Sequence, residues 1–256
     1  MKISGKYIRL VWVSFIVLTI IGITTTIANK KANEIKELNV EITNADPKEK
    51  LINEKHIESI IHSKLDYSLV GAALKDLDIA VIESIVRADP YVGEANVFLD
   101  IENRLVVSVK QREPILRIKD AKGQDYYLDQ NARKFNWTKN YTPRVMVATG
   151  NLPVYQDNFM EADNSLLKDL FVLNQFIMKD KFWSKMIQQI HVNNYGEFIL
   201  VPEIGRHKIL LGGVRDIELK FKNLETFYHQ GLSYMGWNAY DVLDIRFKNQ
   251  VVGRRI

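Results

Sequence analysis

The chain has 256 residues, of which 46% are hydrophobic and 26% are charged, so it contains enough apolar material for a folded core and is not mainly disordered. Its net charge is only +4, and the 35 basic residues are spread along the sequence, which argues against nucleic acid as a partner. It has no cysteine, which excludes a disulfide scaffold, a thiol nucleophile and a thiolate zinc site.

The first predicted element is a charge-free apolar run over residues 10–29. About 20 residues at a rise of roughly 1.5 Å each are long enough to cross the hydrocarbon layer of a membrane. Basic residues precede the run at Lys2, Lys6 and Arg9. The positive-inside rule therefore predicts a cytoplasmic tail over residues 1–9, a single transmembrane helix and an extracytoplasmic remainder.

A cleaved signal peptide is the alternative interpretation of this run. The segment Thr26-Ile27-Ala28 offers small residues at which a signal peptidase could cut. However, the apolar run exceeds the core of about 7–15 residues that is usual in a signal peptide. We therefore expect the run to be retained as a membrane anchor.

Residues 36–115 carry the pattern of a small β-α-α-β-β unit. Alternating apolar residues predict a first strand over residues 38–43. Asn53 and Asp78 each precede an apolar pattern of helical period, so we expect them to cap two helices. The second helix should end before Pro90, because a residue that precedes proline avoids the helical region.

Several short motifs mark the end of this unit, where two strands are predicted over residues 95–99 and 105–109. They are Ile85-Val86-Arg87-Ala88-Asp89-Pro90-Tyr91-Val92, Ala95-Asn96-Val97, and a run from Leu105 that closes with Arg112-Glu113-Pro114-Ile115. These motifs resemble the POTRA module of the FtsQ/DivIB cell-division family. POTRA modules of outer-membrane assembly factors are the alternative, but those are repeated and this sequence shows no repeat.

The second half of the chain predicts a mixed, mainly antiparallel sheet with helices packed on it. Turn-forming residues separate short apolar runs, which are therefore predicted strands. These strands cover residues 115–118, 125–129, 145–147, 190–192, 198–201, 208–211, 242–247 and 251–252. The predicted fold class is α+β, with residues 116–256 as one β-domain.

Two helices are predicted within this half. Apolar residues at helical spacing indicate one over residues 165–186, with Asp163 or Asn164 as its cap. The other runs over residues 216–230 and should end at Gly231, since glycine is preferred in a left-handed helix cap.

Three further motifs lie in this half. They are the segment from Tyr127 to Phe135, Leu211-Gly212-Gly213 followed by Lys220 and Leu224, and the segment from Leu243 to Val252. They resemble the β-domain of FtsQ/DivIB proteins, so the resemblance covers a short tail, a membrane span, a POTRA domain and a β-domain. The sequence departs from the family at Ala132 or Arg133, where a turn usually has glycine, and at Phe247, where tyrosine is common.

No local signature of an active site is found. The five histidines form no zinc-binding pair and are expected at the surface or in caps, and Gly212-Gly213 lacks the lysine of a phosphate loop. Asp76 with Asp78, or Asp125 with Asp129, could flank a glycosidic bond as acid and base. A membrane-anchored wall hydrolase with a POTRA domain is therefore the alternative function, whereas we expect no catalytic residue, metal or cofactor.

The end of the chain is the predicted partner site. Val251 and Val252 follow a hairpin, so they are expected at a sheet edge that accepts a strand of another chain. The alternative is that Arg254 and Arg255 only guard this edge against aggregation. The resemblance implies that the edge binds an FtsB-like protein, with an FtsL-like protein completing the complex. The predicted partner-binding residues are Arg246, Phe247, Lys248, Asn249, Gln250, Val251 and Val252.

The resemblance also implies what the whole protein does. It would be a non-enzymatic scaffold of the divisome in the inner membrane at the division septum, where it helps control septal peptidoglycan synthesis. Other division proteins are expected to bind through the POTRA domain and the transmembrane helix, which contacts lipid.

Overall fold

The structure is a computed structural model that describes residues 15–20, 34–44 and 49–255. The predicted tail over residues 1–9 and most of the predicted membrane helix lie outside the described residues. Of the apolar run, residues 15–20 are described and are helical. Within the described ranges, no helix has the length and apolar content needed to cross a membrane. The chain divides into two compact units, Met1–Gln111 and Arg112–Ile256.

The first unit is a three-stranded sheet that shares its core with two helices. Its elements are β1 Glu37–Ile42, α1 Glu54–Lys64, α2 Ile79–Arg87, β2 Val92–Leu99 and β3 Arg104–Gln111, with a 3-10 turn at Leu74–Asp76. The strand order is β1-β3-β2, with β1 parallel and β2 antiparallel to β3. The structure thus confirms the predicted β-α-α-β-β order.

Both helices of this unit begin at the predicted caps. The Asn53 side chain accepts a hydrogen bond from the backbone N–H of His56 at 2.9 Å, and Asp78 accepts one from Val81 at 3.1 Å. Each cap satisfies a backbone donor that the first helical turn leaves unpaired, and such a cap is typically worth about 1 kcal/mol. The buried positions of the helices are Ile57, Ile61, Ile82 and Val86, each fully shielded from solvent.

Gln111 joins the end of β3 to the segment between β1 and α1. Its side chain accepts from the Leu51 N–H at 2.9 Å and donates to the Glu49 carbonyl at 3.1 Å. Its backbone N–H donates to the Asn44 side chain at 2.9 Å. Because Gln111 is 8% exposed, these bonds are needed to offset the cost of burying its amide.

The second unit is a nine-stranded sheet. Its strands are β4 Pro114–Lys119, β5 Asp125–Asp129, β6 Lys134–Asn136, β7 Met146–Gly150, β8 Ile187–Val192, β9 Phe198–Pro202, β10 Lys208–Gly212, β11 Tyr240–Asp244 and β12 Val252–Arg255. The order across the sheet is β12-β11-β10-β9-β8-β7-β4-β5-β6. Parallel pairing occurs at β10–β11, β7–β8 and β4–β7, and the other pairs are antiparallel. The predicted mixed, mainly antiparallel sheet is therefore confirmed.

Helices α3 Leu166–Lys179 and α4 Trp183–Met186 replace the single helix predicted over residues 165–186. The predicted cap was also wrong, because the Ser165 side chain accepts from the Lys168 N–H. The helix is interrupted at Asp180. The Asp180 carboxylate accepts hydrogen bonds from the N–H groups of Phe182 and Trp183 at 2.8 and 2.9 Å and so starts a new helical turn. This break lets the Trp183 ring enter the core, where it is 3% exposed.

Helix α5 Ile217–Phe227 does not end at Gly231 as predicted. A π-helical segment, Tyr228–Leu232, continues it into α6 Ser233–Met235, and the chain turns at Gly236 with φ +88°. The buried Tyr228 and Leu232 hold this continuation in the core. Gly231 has a packing role instead, since an added Cβ would lie 3.2 Å from the Phe227 ring.

In the turn after β5, Ala132 occupies a position at which glycine was expected. Ala132 has φ +62°, in the left-handed region that glycine favours, and is 7% exposed. The Asp129 carboxylate holds this turn by accepting from the N–H groups of Asn131 and Arg133, both at 2.9 Å. The departure in sequence therefore leaves the turn in place, at a conformational cost that is typically about 1–2 kcal/mol for a residue with a side chain.

Candidate partner interface

The last hairpin places β12 at one edge of the nine-stranded sheet. In its register Leu243 faces Gly253 and Asp244 faces Val252. The strand predicted to reach Phe247 ends at Asp244, and the strand predicted from Val251 begins at Val252. Residues 245–251 therefore form the loop of the hairpin, and of the predicted partner-binding residues only Val252 lies in the edge strand itself.

Gly253 lets β12 pack directly on an aromatic ring. A Cβ added at Gly253 would lie 2.5 Å from Cδ1 of Tyr240, far inside normal contact. Tyr240 is 7% exposed, and its ring centroid lies 5.5 Å from that of Phe227. The ring is therefore held between helix α5 and β12. The sequence contained no signal for this requirement, because Tyr240 and Gly253 become neighbours only in the hairpin.

The Arg246 side chain, just after the end of β11, is bound by two carboxylates of the same chain. Its guanidinium donates to Asp244 at 2.7 Å and to Glu197, at the start of the β9 hairpin arm, at 3.1 Å. Its backbone N–H also donates to Asp244, at 3.0 Å. The binding of a partner by Arg246 remains a prediction from the sequence. The structure adds an internal role that the sequence did not indicate.

These contacts change the charge properties of the loop. Burial opposes the charged form of Asp244, but the hydrogen bonds from Arg246 outweigh burial and place the pKa of Asp244 below its ordinary value. The same bonds raise the pKa of Arg246. The Asn193 amide, together with Arg246, lowers the pKa of Glu197. All three groups are therefore charged at neutral pH, and the loop base is an ion-pair network.

The strand-to-helix join beside this network uses the residues that carried the family resemblance. Gly212 has φ +72°, and an added Cβ there would lie 3.1 Å from Cγ of Arg246. The Lys220 ammonium donates to the carbonyls of Leu211 and Gly213 at 2.9 and 2.8 Å. Burial lowers the pKa of Lys220, since its charged form is partly shielded from water. The Gly212-Gly213 turn is thus held from both sides.

The outer surface of the hairpin is partly apolar. Phe247 is 48% exposed and Val252 is 44% exposed, whereas Val251 is half-buried and packs on the core. Asn249 and Gln250 line an open groove of about 370 Å³ between the loop and α5. The other lining residues are Asn223, Thr226, Phe227, Gln230, Gly231 and Val251. Lys248 is exposed at the turn of the loop. The other predicted site residues divide into an intramolecular ion pair, an exposed apolar surface and a groove wall.

The two arginines of β12 point in different directions. Arg254 forms a two-pronged pair with Asp241 of β11, with N···O distances of 2.7 and 3.0 Å, and this bond lowers the pKa of Asp241. Arg255 reaches the sulfur of Met235 at 3.8 Å. Arg254 is therefore drawn back over the hairpin, away from the outer side of the edge. In the described part of the chain, no side chain hydrogen-bonds to the backbone of β12.

Three of the four carboxylates considered for the alternative enzyme have structural partners. Asp78 caps α2, and Asp129 holds the turn at Ala132. Asp125 accepts two bonds from Arg117 at 2.7 and 2.6 Å, which lowers the pKa of Asp125. A general acid needs a raised pKa, so the environment of Asp125 is opposite to that requirement.

One histidine lies elsewhere than expected. His207 is 1% exposed, in contrast to the predicted surface or capping position, and its Nε2 lies 2.6 Å from the Tyr228 hydroxyl. Burial lowers the pKa of His207, which favours its neutral form in the core. Across the described ranges, no three His, Asp or Glu side chains come close enough together to hold a metal ion.

The two units together define an α+β protein with a POTRA-like domain before a larger sheet domain. A family described as POTRA-like domain matches residues 34–110, and one described as FtsQ/DivIB, C-terminal related matches residues 113–254. Because the second match spans more than half of the chain, the chain belongs to the FtsQ/DivIB family of cell-division proteins. It is similar to the cell division protein FtsQ of Rhodothermus marinus, with 28% identity over 191 residues that cover 72% of this chain and 68% of the relative.

Proposed function

We propose that this protein is a non-enzymatic divisome scaffold that binds FtsB-like and FtsL-like proteins at its C-terminal sheet edge and helps control septal peptidoglycan synthesis. The observation that carries the proposal is the position of β12 at the end of the strand order, with Val252 exposed in the strand and Phe247 exposed in the loop before it. Family membership supports a role in cell division.

The binding mode follows from the chemistry of a sheet edge. An edge strand presents N–H and C=O groups that a strand from another chain can pair with, and side-chain pockets then provide specificity. Phe247 supplies an aromatic anchor of the kind that contributes strongly to interfaces. The groove lined by Asn249, Gln250 and Val251 is formed by the same loop and offers amide groups for hydrogen bonds.

The site is tested with the Phe247→Ala, Val251→Pro double variant of the full chain and the FtsB-like protein of the same organism. The alanine removes the anchor, and the proline removes a backbone donor next to the edge strand. We expect binding to weaken by at least about tenfold, or roughly 1.4 kcal/mol. Thermal unfolding is measured in parallel, because Val251 also packs on the core. Unchanged affinity in a stably folded double variant would refute the site.

The non-enzymatic part of the proposal has its own test. Purified protein incubated with peptidoglycan should release no soluble fragments. Cleavage that is lost in Asp125→Asn or Asp129→Asn would instead establish the alternative, a membrane-anchored wall hydrolase.

The proposed location is the inner membrane, with a cytoplasmic N-terminus and residues after 30 outside. It rests on the apolar run over residues 10–29 and the basic residues before it. A reporter fused after Ile256 should be active only outside the cytoplasm. A mature protein that begins at residue 29 would contradict the anchor. We also propose that the helix contacts lipid and that, with the POTRA domain, it binds other divisome proteins.

The proposed domains, residues 36–115 and 116–256, are tested by expressing each separately. Ile35 is 1% exposed and belongs to the core of the first unit, so a fragment that includes it should be the more stable. Burying an isoleucine side chain is worth about 1.5–3 kcal/mol. Residues 34–115 should therefore unfold cooperatively and at a higher temperature than residues 36–115, and the absence of a cooperative transition in both would contradict the boundary.

A further inference from the structure

The edge strands of the two sheets differ in length. In the described part of the chain the edges are β1 with six residues, β2 with eight, β6 with three and β12 with four. A long edge strand is a template for pairing with another chain, and proteins blunt such edges with short strands, charges, bulges or covering groups. The eight-residue β2 is the strand at which such protection is most needed.

Two side chains of helix α2 lie against this edge. Arg87 and Glu83, one helical turn apart, form an ion pair with an N···O distance of 2.7 Å. Arg87 also donates to the carbonyl of Ala95 at 3.1 Å, and Glu83 accepts from the N–H of Val97 at 3.4 Å. Because residues two apart direct their backbone groups to the same side of a strand, the pair occupies the outer backbone groups at the middle of β2.

We propose that the Glu83–Arg87 pair closes the β2 edge against pairing with a second copy of this chain. The side chains on the strand would otherwise permit that pairing. In an antiparallel pair related by a two-fold axis at Asn96, Ala95 of one copy faces Val97 of the other, and Glu94 faces Phe98. No like charges meet in this arrangement, so charge on the strand itself does not prevent it.

Among the described residues, the other irregularity that protects this strand lies at its start. The register of β2 on β3 shifts between Val92 and Glu94, and such a bulge twists the edge locally. The segment from Ala95 onward pairs regularly with β3, from Ala95 opposite Val109 to Leu99 opposite Leu105. The ion pair lies against Ala95 and Val97, at the beginning of this regular segment. A strand added along the segment would have to pair with the same backbone groups.

The test uses a cysteine at Asn96 as a reporter, since the natural chain has none. In the proposed pair the two copies of residue 96 would occupy a non-hydrogen-bonded position with Cα atoms about 4.5 Å apart, within the range of a disulfide. The full-length N96C chain is treated with diamide, with and without E83A and R87A. Loss of the pair should raise the disulfide-linked dimer fraction by at least about tenfold, because two backbone groups per copy become available.

The matched control is K50A with E54A in the same N96C chain. Lys50 and Glu54 also form an ion pair four residues apart, but at the start of α1, which packs on α2 and β1. This control should leave the dimer fraction at the level of N96C alone. The single variants E83A and R87A should give intermediate fractions, which keeps the test decisive if the double variant folds poorly. An unchanged dimer fraction in all E83A and R87A chains, or an equal rise in the control, would overturn the proposal.

Discussion

The edge strands β12 and β2 differ in what lies against their outer backbone. Strand β12 has four residues, and in the described part of the chain no side chain hydrogen-bonds to its backbone. Strand β2 has eight residues, and Glu83 and Arg87 bind its backbone from a neighbouring helix. The comparison shows that the accessibility of an edge depends on the elements around it as well as on the residues of the strand.

The largest expected effect tests the packing that positions β12. Gly253→Ala places a methyl group against the Tyr240 ring, which is buried and packs on Phe227. Overpacking of this kind costs about 1–3 kcal/mol. We expect a lower free energy of unfolding in urea and weaker binding of the FtsB-like partner. Gly213→Ala is the control, since an added Cβ at Gly213 has no neighbour within 4 Å. Equal stability of the two variants would contradict the packing argument.

The next effect separates binding from packing at the loop. Phe247→Ala removes an aromatic side chain that is 48% exposed, so we expect partner affinity to fall by about tenfold or more while thermal unfolding stays nearly unchanged. Tyr195→Ala, at a hairpin tip where the ring is 90% exposed, should alter neither quantity. Lost stability with unchanged affinity would assign Phe247 to the core.

A smaller effect is expected from the ion pairs of Arg246. The pKa values of Asp244 and Glu197 are lowered in the folded state, so their contribution to stability is present above their unfolded pKa values of about 4 and is lost as the pH falls through the folded values. Arg246→Gln should cost about 0.5–1 kcal/mol at pH 7 and progressively less in acid. Urea unfolding at several pH values measures this cost.

The control for Arg246 is Arg215→Gln, which changes an exposed arginine near the start of α5 by the same substitution. A cost at Arg246 that does not depend on pH would mean that these ion pairs are not its source. Reduced partner affinity in a fully stable Arg246→Gln chain would instead support the predicted pairing with an acidic partner residue.

The smallest expected effect distinguishes the two edges. The E83A, R87A double variant should bind the FtsB-like partner with unchanged affinity, because the proposed partner edge is β12. Its stability should change by less than about 1 kcal/mol, as is usual for an ion pair with an exposed arginine. Isothermal titration beside thermal unfolding checks both expectations. A clear loss of affinity would mean that β2 contributes to the same interface.

The parts of the fold that were predicted correctly depend on short stretches of sequence. The caps Asn53 and Asp78 act on backbone donors three residues away, and the alternation at Leu38, Val40 and Ile42 follows from the geometry of one strand. The order of strands and helices in the first unit could therefore be predicted. The break in the helix at Asp180 was not predicted, because it accompanies the packing of Trp183 against Phe221, a residue distant in sequence.

The sequence by itself determined the secondary structure of the first unit, most strands of the second, and the family. It also predicted a sheet edge at residues 251–252, and β12, which begins at Val252, lies at the end of the strand order. Only the tertiary structure decided which groups meet at the edges. Arg246 finds Glu197 across 49 residues, Gly253 fits against Tyr240, and Glu83 and Arg87 cover β2. Such contacts have no periodic signal, since they depend on side chains that become neighbours only when the sheets and helices have packed.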